Sequence, residues 1–250
     1  MEGLTGSRVF GRHEMTIRQQ TRWPRPKFDS TPEPHFLFIV TPPYSGSTAL
    51  CRLLNTSPRS MLLYPNGEGQ RLVPGLMESD RWSADKDVDY ASVRAVWLAR
   101  FQEVRRLTQT TDLVIEKSPP NMVRLDEIAG LFGSRSFLAN NRDPYAHCAS
   151  FLTRQHDVDG LDALQRAVAL VHYAEGWIER SHVIRRLVEE RGIPYLSYED
   201  FCSDPAQLHQ RLGTPAGFAE SVDLDAEVQV KDYQPQKIVN QNPRQIGRLT

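Results

Sequence analysis

The chain has 250 residues, 40% of them hydrophobic, enough to bury one sizeable core and with nothing in its bulk composition that calls for two. Its formal net charge of −1 excludes a whole-molecule field of the kind that draws in nucleic acid or coats an anionic membrane, so any bound anion depends on locally placed Arg and Lys. Cys51, Cys148 and Cys202 stand far apart without C-x-x-C spacing, which suggests neither a disulfide framework nor a zinc site and reads as small buried apolar residues.

No charged-then-apolar leader opens the chain and no apolar run approaches the ~20 residues of a membrane span, which predicts a soluble, cytoplasmic protein. Residues 1–34 mix Gly, Arg, Gln and Pro without periodicity and read as a flexible arm, leaving 35–250 as a single domain. Phe36–Val40 is wholly apolar and stops at Pro42-Pro43, the pattern of a central parallel strand covered on both faces. Ser47–Leu54 reads as the helix that follows it.

Met61–Tyr64 is a further apolar run, expected beside the first strand, and leads into the Gly-flanked loop Asn66-Gly67-Glu68-Gly69-Gln70. Between Val88 and Leu107 the positions Val93, Val96, Trp97, Phe101 and Val104 recur at helical spacing. Leu113–Ile115 is a second strand, Met122–Phe132 a helix ended by Gly133, and Ser136–Ala139 a third strand. Pro144–Arg154 and Asp162–Glu190 read as helices, Pro194–Ser197 as a fourth strand and Asp204–Leu212 as the last clear helix. Strands alternating with helices predict an α/β fold, a parallel central sheet flanked by helices, with ligand loops at the strands' carboxyl ends.

Three segments at such ends carry chemistry. After the first strand, Pro43-Tyr44-Ser45-Gly46-Ser47-Thr48 places small residues where backbone amides at a helix start approach an anion, and the Ser and Thr hydroxyls add donors. It lacks the first Gly and the Lys of a nucleoside-triphosphate loop. A Ser/Gly turn that merely caps a helix is the plainer reading. After the third strand, Arg142 offers a rigid fork of donors suited to phosphate, and Ser150 follows two helical turns on along the helix begun by Pro144. A surface ion pair between Arg142 and Asp143 is the alternative there. After the second strand comes Glu116-Lys117-Ser118-Pro119.

The loop at Pro43–Thr48, the run Arg142-Asp143-Pro144-Tyr145-Ala146-His147-Cys148-Ala149-Ser150 and the segment Tyr198-Glu199-Asp200 together resemble the sulfotransferases that use 3′-phosphoadenosine-5′-phosphosulfate (PAPS), in their bacterial branch, over roughly Phe36 to Leu212. The resemblance implies the P-loop-type three-layer fold of that family, with the nucleotide held by Tyr44, Ser45, Gly46, Ser47, Thr48, Arg142, Ser150 and Tyr198, the Arg–Ser pair on its 3′-phosphate. It implies sulfuryl transfer to the hydroxyl of a small-molecule or glycan acceptor, with no metal and no nucleic-acid partner.

Tyr44 departs from the family pattern, standing where most relatives carry Lys or Arg. Charge builds up on the leaving phosphate in such a transfer, so Lys117 is the candidate compensating cation, and Glu68, held between glycines, the candidate general base. A solvated strand-end Lys and an exposed turn Glu are the bland readings of these two. His147 and His156 read as structural. The amide-rich stretch Tyr233–Asn242 is similar to one that precedes the final helix in bacterial relatives. Asn242-Pro243 then begins about two turns that must pack to persist, or that continue in a longer protein. Residues 71–111 and 155–180 are expected to form the acceptor pocket. A phosphate-loop kinase, and a nucleotide-binding module with weakened chemistry, are the rival readings.

Overall fold

The computed structural model describes residues 32–230 and 233–249. The arm expected over residues 1–34 lies outside these except for Pro32, Glu33 and Pro34. Four parallel strands form one sheet in the order β2-β3-β1-β4: β1 His35–Val40, β2 Ser60–Leu62, β3 Leu113–Glu116 and β4 Arg135–Ala139. The helices that connect and cover them are α1 Ser47–Leu54, α2 Tyr90–Thr108, α3 Leu125–Gly130, α4 Pro144–Gln155 and α5 Ala163–Arg191. The short helices α6 Tyr198–Ser203, α7 Leu208–Arg211 and α8 Asn242–Ile246 follow.

β1 is buried on both faces because its side chains alternate between two cores. Phe36 and Phe38 meet Trp97 of α2 and Phe132 on one side, with the Phe36 and Phe132 rings 3.8 Å apart, whereas Leu37 and Ile39 meet Leu50, Leu53 and Phe201 on the other. Each such side chain contributes about 1.5–3 kcal/mol by leaving water. This double anchoring fixes the carboxyl end of β1. From β1 the chain crosses to the β2 edge, whereas from β4 it leaves toward Tyr195 on the opposite side, so the crevice between the carboxyl ends of β1 and β4 is a topological switch point.

Helix starts follow local chemistry. Asp89 and Asp143 cap α2 and α4 by accepting from Ser92 N (3.1 Å) and Ala146 N (2.9 Å), and Asp162 with Gln165 forms a reciprocal capping box on α5. α5 ends at Gly192 in the left-handed region. No helix among the described residues is long and apolar enough to cross a membrane.

Four expectations are corrected. The Met61–Tyr64 run supplies β2, which pairs with β3 and not with β1. Pro194–Ser197 is no strand: Tyr195 makes one parallel bridge to Ala139, Pro194 has no N–H to donate, and Ser197 already caps α6. The Met122–Phe132 helix is a tight turn over Pro119–Val123 followed by α3, and Asp204–Leu212 divides into a turn at Pro205–Gln207 and α7.

Candidate active site

The loop after β1 enters α1 through two residues in the left-handed region, Tyr44 (φ 62°) and Gly46 (φ 77°). Gly46 has no alternative there, since a Cβ would run into the Tyr198 ring. Ser47 and Thr48 open α1, so their amides lie at its positive end. The Ser45 hydroxyl is buried and has no hydrogen-bond partner among the described residues. Tyr44 does not stand free over the loop: its ring lies 4.2 Å from Phe151 and its hydroxyl accepts from Gln155 Nε2 at 2.8 Å, both on α4.

Arg142 follows β4, and its guanidinium is buried, held by groups from several elements. Nε donates to Asn242 Oδ1 (2.8 Å), Nη1 donates to Ser150 Oγ (3.2 Å) and to the Tyr44 carbonyl (3.3 Å), and the Tyr198 ring lies 4.4 Å below Cζ. Nη2 is buried and has no hydrogen-bond partner among the described residues. Arg142 is therefore not a surface ion pair. Asp143 instead caps α4, and burial lowers the Arg142 pKa from its ordinary value. A buried guanidinium with an unmatched donor is an arrangement that an anion completes.

On the other side, the turn bearing Glu68 is sewn to the end of β3. Lys117 N donates to the Gly67 carbonyl (2.7 Å), Gly69 N to Glu116 Oε1 (2.9 Å), and Trp97 Nε1 to the Gly69 carbonyl (3.0 Å). Glu116, 1% exposed, also accepts from Ser118 and Asn121, and so serves as scaffold for the turn. These ties bring Lys117 Nζ within 3.3 Å of Glu68 Oε1, while Arg71 Nε donates to Glu68 Oε2 at 2.7 Å. Burial works against ionisation of Glu68, but Lys117 and Arg71 outweigh it and hold the carboxyl below its ordinary value.

Loop, clamp and pair line one cavity of about 360 Å³. Tyr44, Gly46, Ser47, Thr48, Glu68, Lys117, Arg142, Ser150 and Tyr198 all face it; Ser45 is fully buried and does not line it. The stretch from Tyr233 to Gln241 closes one wall, tied to Tyr198 Oη, which accepts from Gln241 N (3.1 Å) and donates to the Val239 carbonyl (3.3 Å). α8 packs on α4 and delivers Asn242 to Arg142.

Neither histidine lines the cavity. His147 is fully enclosed against Phe151 and kept neutral, pushed down to about 3 by burial, Arg180 and Arg142, and His156 pairs with Tyr173 Oη at 2.8 Å. The sequence reading missed Asn242 as a partner of Arg142 and Arg71 as a second cation on Glu68; Arg81 and Trp82 fall within the 71–111 stretch expected at the acceptor pocket, whereas no residue of 155–180 lines the cavity. Arg71 alone had a local signal, its position three residues after Glu68.

A model of the sulfotransferase family matches residues 34–219. Among solved structures, the chain is similar to the sulfotransferase domain of the Synechococcus PCC 7002 olefin synthase, at 23% identity over 79% of this chain and 79% of that one, with a TM-score of 0.44. It is also similar to the sulfotransferase domain from the curacin biosynthetic pathway (21% identity, 76% and 77% covered, TM-score 0.43). A third similar structure is sulfotransferase STF9 from Mycobacterium avium (15%, 77% and 67%, TM-score 0.48). No curated protein sequence matches the chain.

Proposed function

The chain belongs to the sulfotransferase family, and from that premise we propose that it moves a sulfuryl group from PAPS to the hydroxyl of a small acceptor. The observation that carries the donor is Arg142: a buried guanidinium facing the cavity beside Ser150, with Nη2 unmatched among the described residues. The α1 amides at Ser47 and Thr48, two residues that face the cavity, fit a second anionic group at the loop. When bound, the nucleotide supplies the sulfuryl group and leaves as adenosine 3′,5′-bisphosphate.

Each residue then has a task set by its place. Arg142 and Ser150 hold the 3′-phosphate, and Gly46, Ser47 and Thr48 hold the 5′ end, with Ser45 buried behind the lining. Tyr44 supplies its carbonyl to Arg142 and, having a phenol in place of a basic side chain, no positive charge; its hydroxyl is engaged by Gln155. Tyr198 supports Arg142 from below. Glu68, ionised in its pair with Lys117 and Arg71, takes the proton from the acceptor oxygen as that oxygen attacks. Lys117 offsets the charge that gathers on the departing phosphate oxygen, the task for which the loop has no cation of its own. A phosphate-loop kinase is disfavoured by the missing loop Lys. Turnover of labelled PAPS with a panel of hydroxyl acceptors tests the reading; absence of any sulfate ester, with the nucleotide bound, leaves the binding module.

A further inference from the structure

The strap from Asp80 to Ser83 contributes to the wall of the cavity that Glu68 and Lys117 also line, and its backbone is held by a buried side chain. Arg124, 2% exposed, donates Nη2 to the Arg81 carbonyl at 2.7 Å and Nη1 to the Ser83 carbonyl at 2.6 Å. A buried guanidinium is thus committed to the backbone of a three-residue stretch, an arrangement that holds the stretch in one position. Between the two carbonyls, Trp82 packs against the cluster of Val40, Met122 and Ile184, with the Arg180 guanidinium 4.8 Å from its ring centre. The strap presents Arg81 and Trp82 to the cavity.

Arg81 differs from the cations around it. Lys117 and Arg71 are both paired with Glu68, and Lys86, further along the same segment, is paired with Glu78 and Asp80. Arg81 is half-buried and has neither a salt bridge nor a side-chain hydrogen bond among the described residues. In the reading above, the nucleotide's anionic groups are met by the loop, by Arg142 with Ser150, and by Lys117. An unmatched planar guanidinium on a fixed stretch of the wall, in the same cavity as the Glu68 carboxylate yet not paired with it, selects for a further anion.

We propose that Arg81 and Trp82 form an acceptor-recognition subsite, and that the acceptor is a hydroxyl compound carrying its own anionic group, a carboxylate or a phosphate. The anion meets Arg81, the body of the molecule lies on Trp82, and the hydroxyl is left toward Glu68. The term acceptor rests on the sulfuryl-transfer reading; the anion subsite itself rests on the strap.

The test is calorimetric titration of the full chain, with and without adenosine 3′,5′-bisphosphate, by 4-hydroxybenzoate, 4-hydroxyphenyl phosphate and the neutral 4-hydroxybenzamide. At least one of the anions is expected to bind about tenfold or more tighter than the amide, the scale of one charge-assisted hydrogen bond. Whichever of them binds tighter identifies the anion. Arg81→Gln is expected to erase the preference and leave nucleotide affinity unchanged. A preference that survives Arg81→Gln, an amide that binds as tightly as both anions, or no binding of any of the three in the millimolar range overturns the subsite. Anion preference through Arg81 in a protein that binds no nucleotide supports the subsite and overturns the sulfuryl-transfer reading alone.

Discussion

The Lys117 ammonium lies 3.3 Å from Glu68 Oε1, with the two side chains 3% and 17% exposed, so each constrains the other's chemistry. A cation so enclosed acts most strongly on charge that develops beside it. Lys117→Ala is therefore expected to lower kcat more than it weakens nucleotide binding. Steady-state kinetics beside calorimetry check this, and a near-normal kcat moves the task to another cation.

Glu68 sets the acid side of the pH profile. Burial opposes its ionisation, Lys117 and Arg71 prevail, and its carboxyl titrates below the ordinary 4.5. It is ionised above that pH, so the acid limb of kcat/KM is expected below pH 4.5. Arg71→Ala removes one of the opposing cations, and the limb should move to higher pH. Glu68→Gln keeps shape but accepts no proton, and is expected to lower the rate by about 10²–10⁴-fold with nucleotide affinity nearly intact. A limb that stays put in Arg71→Ala, together with full activity in Glu68→Gln, removes Glu68 as the base.

Some of this was legible in the sequence for local reasons. An apolar run stopped by Pro42-Pro43 and followed by small residues states its own strand, turn and helix, and Pro144 fixes the helix that returns Ser150 to Arg142. What escaped was set by distance along the chain. Periodicity does not say which strand lies beside which, so β2 was expected against β1 and not β3. Asn242 meets Arg142 from the far end of the chain, and the Arg124 clamp on the strap joins carbonyls, which carry no residue signature.

Arg142 is expected to separate two nucleotides. With the 3′-phosphate on Arg142 Nη2 and Ser150, adenosine 3′,5′-bisphosphate should raise the melting temperature well above the effect of 5′-AMP, and Arg142→Ala should remove most of the difference. Charge-assisted bonds of this kind are worth about 1.5–3 kcal/mol each. Equal thermal shifts with the two nucleotides would count against a 3′-phosphate clamp.

Glu116 is expected to leave a mark on stability. Burial pushes its carboxyl up to about 7 from an ordinary 4.5, against hydrogen bonds from Ser118 and Gly69 and the charge of Lys117. Between these values the folded protein binds a proton that the unfolded chain does not, so this group's contribution falls as pH rises from 4.5 to about 7 and is level above. His147 acts in the opposite sense, since it is held neutral down to about 3 while the unfolded side chain titrates at 6.5. The measurement is therefore the difference in denaturant midpoint between the native chain and Glu116→Gln, which should decline across that window. A difference independent of pH shows that Glu116 is not titrating there.

Gly46 and Tyr198 couple the loop to the clamp. A Cβ at Gly46 would occupy the space of the Tyr198 ring, and that ring lies 4.4 Å from Arg142 Cζ while its hydroxyl ties down Val239 and Gln241. Gly46→Ala thus strains a backbone at φ 77° and also displaces the support beneath Arg142. The backbone part alone should destabilise by about 1 kcal/mol, and nucleotide affinity should fall with it. Tyr198→Ala relieves the clash but not the backbone strain, so the double variant Gly46→Ala with Tyr198→Ala should be less destabilised than the sum of the two single changes. Chemical denaturation of the four proteins gives that coupling directly. Strict additivity would mean that the ring and the loop do not press on each other, and that Gly46 is required by its backbone angle alone.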